Sequence, residues 1–571
     1  MFVVSRLVKR SANRVAAVIL NRGGRRATHS KITSELPDIE IPRLPLNEYV
    51  LEFASEWEDR TAAECGLTGR KYTYKELRTK VKNFAGALRK KLKLEKGDVI
   101  AVLLPNIPEY PVVILGANRA GIICTTVNPI YTPAEISKQL LDSSTKVIVT
   151  LNELWALASA SKGLINKDIP IVTINSQAGQ TTPAGAINFS ELTDNSVDFP
   201  EDGTICSDEV AVLPYSSGTT GLPKGVQLTH FNIVSNLCQL EHPLIGCNWR
   251  TTADHQDTTQ AVLPLFHIYG LTILCMYQLR LGCKIITLPK FTPDLYIGTL
   301  KKHKPELLYL APPIAIFLAN HPTVKEEDFS NVRTIINGAA PLGILDEEKL
   351  LKKANKNIPF LQGYGLTETS PAVITTRLSH LSNKSIIGSL GKPVPNTEVK
   401  IIGIDDMTAT HLGPNQMGEL VVKGPQVMKG YHNRPEENIF IDGWMRTGDM
   451  MYYNEDGFLF ITDRLKELIK VKGFQVPPAE LEEIIRDFPD IVDAAVVGVP
   501  HENYGEAPRA YVVPRQGTKI NPEKLIEFVK SKVAPYKQLR GGVSIIDNIP
   551  KNASGKILRR ELKQLYEKAN K

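Results

Sequence analysis

The 571-residue chain predicts an α/β fold: a large N-terminal domain of parallel-rich sheets with flanking helices, then a small C-terminal α+β domain. Three observations carry this. The length exceeds what one compact core holds, so two or more domains are expected. From residue 73 onward, helix-period and strand-period segments alternate, as in parallel sheets with helices on their faces. Near residue 463 the composition turns to a dense basic run, and the roughly 110 residues beyond it suffice for a separate small domain.

The elements follow in order. Residues 1–31 hold eight Lys or Arg and no Asp or Glu, with Phe2, Leu7, Val8, Val15, Ile19 and Leu20 interspersed. That composition predicts a mitochondrial targeting segment over residues 1–30. Cytoplasmic or peroxisomal placement is the alternative, although the chain ends Ala569-Asn570-Lys571 and not Ser-Lys-Leu. Subtracting the eight leader charges from the net +7 leaves −1 for the body, so the charge describes a leader and not a nucleic-acid-binding face. Seven scattered cysteines without metal spacing read as reduced thiols. No apolar stretch is long enough to span a bilayer.

Residues 36–60 read as an extended segment with Pro37, Pro42 and Pro45, opening a domain that runs over 36–463. Thr73-Tyr74-Lys75-Glu76 has capping-box form and starts a helix with Leu77, Val81, Phe84 and Leu88 on one face. Strands are expected at Val99–Leu104, Ile122–Val127 and Lys146–Thr150, with helices at Tyr110–Ala120 and after Thr132. Residues 174–204 lack periodicity and read as irregular surface. The C-terminal domain, 464–571, is expected to hold helices Pro478–Asp487 and Asn521–Val533 and strands Ala494–Val499, Arg509–Val513 and Val543–Ile546.

Four motifs carry chemistry. Tyr215-Ser216-Ser217-Gly218-Thr219-Thr220-Gly221-Leu222-Pro223-Lys224-Gly225-Val226 concentrates glycines, hydroxyls and a lysine after an apolar run. Backbone N–H groups can turn toward an anion there, the hydroxyls add donors, and Lys224 adds charge, which suits a polyphosphate. It is not a Walker A loop, because Pro223 stands where that motif needs glycine. Gln362-Gly363-Tyr364-Gly365-Leu366-Thr367-Glu368 offers close backbone approach, a flat ring and a carboxylate able to hold Mg²⁺. Thr447-Gly448-Asp449 puts an acceptor on a turn, suited to a diol. Pro550-Lys551-Asn552-Ala553-Ser554-Gly555-Lys556 places a lysine after a flexible loop.

In this order over roughly residues 40–565, the motifs resemble the acyl-adenylate-forming superfamily, and within it 4-coumarate–CoA ligases and acyl-CoA synthetases. The resemblance implies an ATP-dependent acid–CoA ligase that activates a fatty or aryl acid as acyl-AMP and transfers it to CoA. Luciferase-like oxygenases and carrier-loading adenylation enzymes of the same superfamily are the alternatives. It implies a nucleotide site of Ser216, Ser217, Gly218, Thr219, Thr220, Lys224, Gln362, Gly363, Tyr364, Thr367, Asp449, Arg464, Lys466, Lys470 and Lys556. Thr220 and Glu368 would order Mg²⁺. Lys556, with His267 and Glu368, would be catalytic, and Lys466 would be the pivot of a mobile C-terminal domain. Lys290, Lys472 and Gly473 would meet CoA. His267, Tyr269, Ala339, Gly363, Pro371, Ala372 and Val373 would wall an apolar acyl pocket. Partners are then small molecules: the acid, ATP and CoA.

Overall fold

The computed structural model describes residues 30–197, 205–216, 223–340, 342–355, 357–404, 406, 408–437, 439–472, 474–552 and 555–569. The targeting segment read at 1–30 lies outside these save its last residue, as do Ser217–Leu222 of the phosphate-type loop and Gly473.

Among the described residues four sheets form. The first is built on parallel strands Ile123–Thr126, Val99–Leu103, Val147–Leu151 and Ile171–Ile174. These are Val- and Ile-rich runs buried along their length, as strands covered on both faces must be. Their connecting helices start where expected. Thr73 and Thr132 each make a reciprocal capping box with Glu76 and Glu135, which fixes the starts of helices Tyr74–Lys90 and Pro133–Asp142. The second sheet runs parallel through Phe360–Gly365, Thr334–Asn337, Leu307–Leu310, Thr258–Ala261, Lys284–Thr287 and Thr61–Cys65. A continuous core joins the two sheets through Phe84, Tyr110, Leu237, Ile268 and Leu274. The expected irregular stretch after 174 contains a short strand, Ile187–Asn188, and a helical turn, Phe189–Thr193.

The third sheet is antiparallel, with Glu398–Ile402, Gly418–Lys423, Trp444–Tyr453 and Leu459–Arg464. The chain then crosses through residues 465–468 into the fourth sheet. There Ile469–Val471, Gly505–Pro514 and Ile491–His501 pair antiparallel, and helices Pro478–Arg486 and Pro522–Lys530 pack over a core of Val476, Leu481, Ile485, Val512 and Leu525. This is the small C-terminal α+β domain. No helix among the described residues is long and apolar enough to cross a membrane.

Candidate functional site

One cleft of about 1950 Å³ is walled by residues of all four sheets and by the segment carrying Lys556. Its position follows from strand ends. The second and first sheets deliver Tyr364 to Glu368 and Ser216 with Lys224 to one rim. Ser216 and Lys224 face each other across an antiparallel strand pair. Gly365 is required here: a Cβ would lie 1.8 Å from the Pro371 carbonyl oxygen, and only glycine lets the chain approach that closely.

At this rim Glu368 Oε1 accepts hydrogen bonds from the Ser216 hydroxyl at 3.1 Å and the Tyr431 hydroxyl at 3.0 Å. Lys224 is buried, ion-paired with Glu437 and 5.1 Å from the Tyr431 ring centroid. Burial and the neighbouring Lys466 push the Lys224 ammonium below its ordinary pKa. Among the described residues no cluster of three or more His, Cys, Asp or Glu forms a metal cage. A single carboxylate such as Glu368 suits only a magnesium ion that takes its other ligands from phosphate and water.

Deeper in, Asp449 is buried at 2 % exposure. Its Oδ2 accepts the Tyr364 hydroxyl at 2.6 Å. Its Oδ1 lies 3.2 Å from Arg464 Nε with no hydrogen bond aimed at it. Burial pushes the Asp449 carboxyl up while Arg464 opposes the rise. A buried carboxylate oxygen without a donor is what a ribose hydroxyl would satisfy. Lys556 comes from the C-terminal domain. Its backbone N–H donates to Asn552 Oδ1 at 2.8 Å and its carbonyl accepts from Asn552 N–H at 2.8 Å, closing the hairpin. Gly555 makes the turn with φ +82 and packs against Pro313. The Lys556 ammonium, 3.6 Å from Glu467, is lowered by burial and by Arg464. Burial works to raise Glu467, but Arg559, Lys556 and Arg464 hold it below the ordinary carboxylate value.

The cleft continues into an apolar channel walled by His267, Tyr269, Ala339, Gly363, Pro371 and Ala372, and beyond them by Ile245, Cys247, Tyr277 and Tyr309. The tyrosine hydroxyls already have partners: Tyr277 with the Leu240 carbonyl at 3.1 Å, Tyr309 with Asn248 at 2.5 Å. Their rings therefore present only carbon. Burial drops His267 to about 4, so its imidazole is neutral, with Nδ1 unpartnered.

Ser216, Lys224, His267, Tyr269, Ala339, Gly363, Tyr364, Thr367, Glu368, Pro371, Ala372, Arg464, Lys466 and Lys556 thus line one cleft. Others expected there stand elsewhere. Strand alternation puts Leu361 and Gly363 on the cleft side and turns Gln362 away, where its Nε2 lies 3.3 Å from Glu347. Alternation likewise buries Val373 in the core with Leu390, Val399 and Leu420. Lys470 points out between buried Ile469 and Val471, and its backbone N–H donates to Glu506 at 2.8 Å. Lys472 and Lys290, expected to meet CoA and not the nucleotide, lie off the cleft: Lys472 is 4.6 Å over the Tyr504 ring and Lys290 is exposed. Sequence reasoning missed Tyr431, whose Gly430-Tyr431 dipeptide was a faint signal, and Ile245, Cys247 and Tyr309, which carried none.

Comparison with known proteins agrees with this geometry. Residues 50–432 match the AMP-binding enzyme family, and residues 480–556 match the AMP-binding enzyme C-terminal domain. A 4-coumarate–CoA ligase 1 of Solanum tuberosum is 40% identical over 536 residues, 93% of this chain and 95% of that protein. Among solved structures, ATP-bound MatB from Rhodopseudomonas palustris superposes with TM-score 0.80 at 26% identity, covering 93% of this chain and all of that one. The o-succinylbenzoate CoA synthetase MenE of Bacillus subtilis, in complex with its acyl-adenylate intermediate OSB-AMP, gives TM-score 0.76 at 27% identity over 92% of this chain and 99% of its own. The motifs, the two-part architecture and these likenesses agree: the chain belongs to the AMP-binding enzyme family.

Proposed function

We infer that this protein is an ATP-dependent acid–CoA ligase that forms an acyl-adenylate and then the thioester. The observation that carries the reading is one cleft in which Lys224, Arg464 and Lys556 converge at the mouth of an uncharged channel. Cations suit a polyphosphate, the channel suits an acyl tail, and their junction is where a carboxylate would meet an α-phosphate.

In the first step a carboxylate oxygen attacks the α-phosphorus, the bond to the bridging oxygen breaks, and pyrophosphate leaves. Ser216 and Lys224 would face the outer phosphates. Asp449 accepts from the ribose and Tyr364 presents its face to the base. Lys556 places a fixed charge where negative charge develops, the arrangement that lowers such barriers most. Glu368, with Thr220, would hold Mg²⁺, which when bound neutralises phosphate charge.

In the second step the CoA sulfur attacks the acyl carbon and AMP leaves. The cleft that holds Lys556 leaves Lys472 outside. A rotation of the C-terminal domain about Lys466 would exchange them, bringing Lys472, Gly473 and the Lys290 side into use for CoA. Such alternation lets one site run two reactions and keeps water from a hydrolysable anhydride. The apolar channel supports an uncharged acid, fatty or aryl. The acid-free, Arg-rich first 31 residues support mitochondrial import, which favours a fatty acid.

The test is AMP release by the purified chain with Mg·ATP across fatty and aryl acids, with and without CoA. CoA-dependent AMP formation is expected. Pyrophosphate exchange without CoA-dependent turnover would instead indicate an oxygenase or a carrier-loading enzyme. Import of the full-length chain into isolated mitochondria, against a chain lacking residues 1–30, tests the localisation.

A further inference from the structure

The helix Pro478–Arg486 opens the C-terminal domain's helical layer, yet the residue at its N-cap does not cap it. Pro477 occupies the N-cap without a side-chain acceptor, and neither Pro477 nor Pro478 has an N–H. The first free donor is the Ala479 N–H. It donates at 3.1 Å to Oδ2 of Asp463, the penultimate residue of a strand in the large domain. Asp463 is buried at 7 % exposure, and its Oδ1 accepts the N–H of Arg464 at 2.7 Å. The cap therefore crosses the joint at 465–468.

The helix is in turn tied to Lys556. One turn beyond Ala479, Glu482 pairs with Arg559 and accepts the Val496 N–H at 2.8 Å. Arg559 also donates to Glu467 at 2.9 Å, and Glu467 faces the Lys556 ammonium. An ion contact of this helix with the large domain is looser: Arg486 lies 3.8 Å from Asp346.

We propose that Asp463 is a positioning residue for the adenylation step: by capping the helix Pro478–Arg486 across the joint, it seats the C-terminal domain so that the Lys556 hairpin enters the cleft. This rests on the acid–CoA ligase reading and on rotation at Lys466. Rotation would break the Asp463–Ala479 bond, so the bond stabilises only the adenylating arrangement.

The experiment uses the full chain and measures both half-reactions: pyrophosphate release with acid and Mg·ATP, and thioester formation from a supplied acyl-adenylate and CoA. Loss of a cap shifts an equilibrium by about five- to thirty-fold. Asp463→Ala is expected to slow the first half by about that factor, with the KM for ATP unchanged because the Arg464–Asp449 pair remains. The second half should stay within about two-fold. Asp463→Ala also removes a helix cap, so a second variant separates folding from positioning. Pro477→Ser in the Asp463→Ala background gives the helix its own cap and should restore Tm without restoring adenylation. Equal loss of both halves, a raised KM for ATP at unchanged rate, an unchanged first half, or recovery of adenylation together with Tm would each overturn the proposal. A wild-type chain that forms no adenylate with any acid would instead overturn the ligase reading beneath it.

Discussion

Replacing Lys556 by alanine isolates one charge. The hairpin that carries it is closed by bonds the side chain does not make: the two 2.8 Å contacts with Asn552 and the Gly555 turn against Pro313. The backbone therefore stays in place when the side chain is cut. Glu467, which faces the ammonium at 3.6 Å, keeps its 2.9 Å bond to Arg559, so no buried carboxylate is stranded. The Lys556 side chain is 30 % exposed, so its pair with Glu467 is partly screened, and the stability change should stay under ~1 kcal/mol. What is lost, on the proposed mechanism, is a fixed cation over the reacting phosphate. Removing one such group typically costs ~3–4 kcal/mol, or about 10²–10³ in rate. Pyrophosphate release should fall by that factor, while thioester formation from a supplied acyl-adenylate should hold within about three-fold, because the proposed rotation withdraws Lys556 for that step. The assay is single-turnover measurement of each half-reaction on the same preparation. Equal loss in both halves, or an intact first half, would refute the role.

Tyr364→Phe removes the 2.6 Å donor to buried Asp449. The weakened acceptor should raise the KM for ATP about five- to thirty-fold, and an unchanged KM would separate Asp449 from the nucleotide. Gly338 also lines the cleft, where a Cβ would meet Tyr269 Cε1 at 3.0 Å, and that ring is itself buried. Gly338→Val should cut kcat/KM for bulky acids by about ten-fold or more while sparing a two-carbon acid, and uniform loss would place the tail elsewhere. His230 and His267 are both held neutral by burial, near 4 against an ordinary 6.5, and His230 Nδ1 accepts the Leu46 N–H at 3.1 Å. Unfolding lets each take up a proton, so their contribution is intact above 6.5 and declines as pH falls from 6.5 toward 4. The loss is up to about 1.4 kcal/mol per pH unit for each histidine. Urea midpoints at about pH 7 and about pH 5 check this, and a flat profile would contradict it.

Much of this protein is legible in neighbouring residues. Capping boxes at Thr73 and Thr132, β-branched runs such as Val99–Leu103 and the switch to a second domain after the basic run are local patterns, and the elements fall within a few residues of where those patterns put them. That Ser216, Lys224, the Tyr364–Glu368 segment and Lys556 belong to motifs is likewise legible, because such segments are specified by residues adjacent in the chain. Only the tertiary structure decided direction and partnership. Whether Gln362 or Gly363 faces the cleft depends on which side of its strand the cleft lies, and the same choice buries Val373 and turns Lys470 outward. Tyr309 and Cys247 reach the apolar channel from elements with no motif. The cap of the helix Pro478–Arg486 comes from Asp463 on another sheet, and Lys224 meets Glu437 more than two hundred positions away. Short-range patterns encode backbone conformation because propensity and capping act within a turn. Side-chain contacts across sheets and across the joint are set by packing, which no local pattern carries.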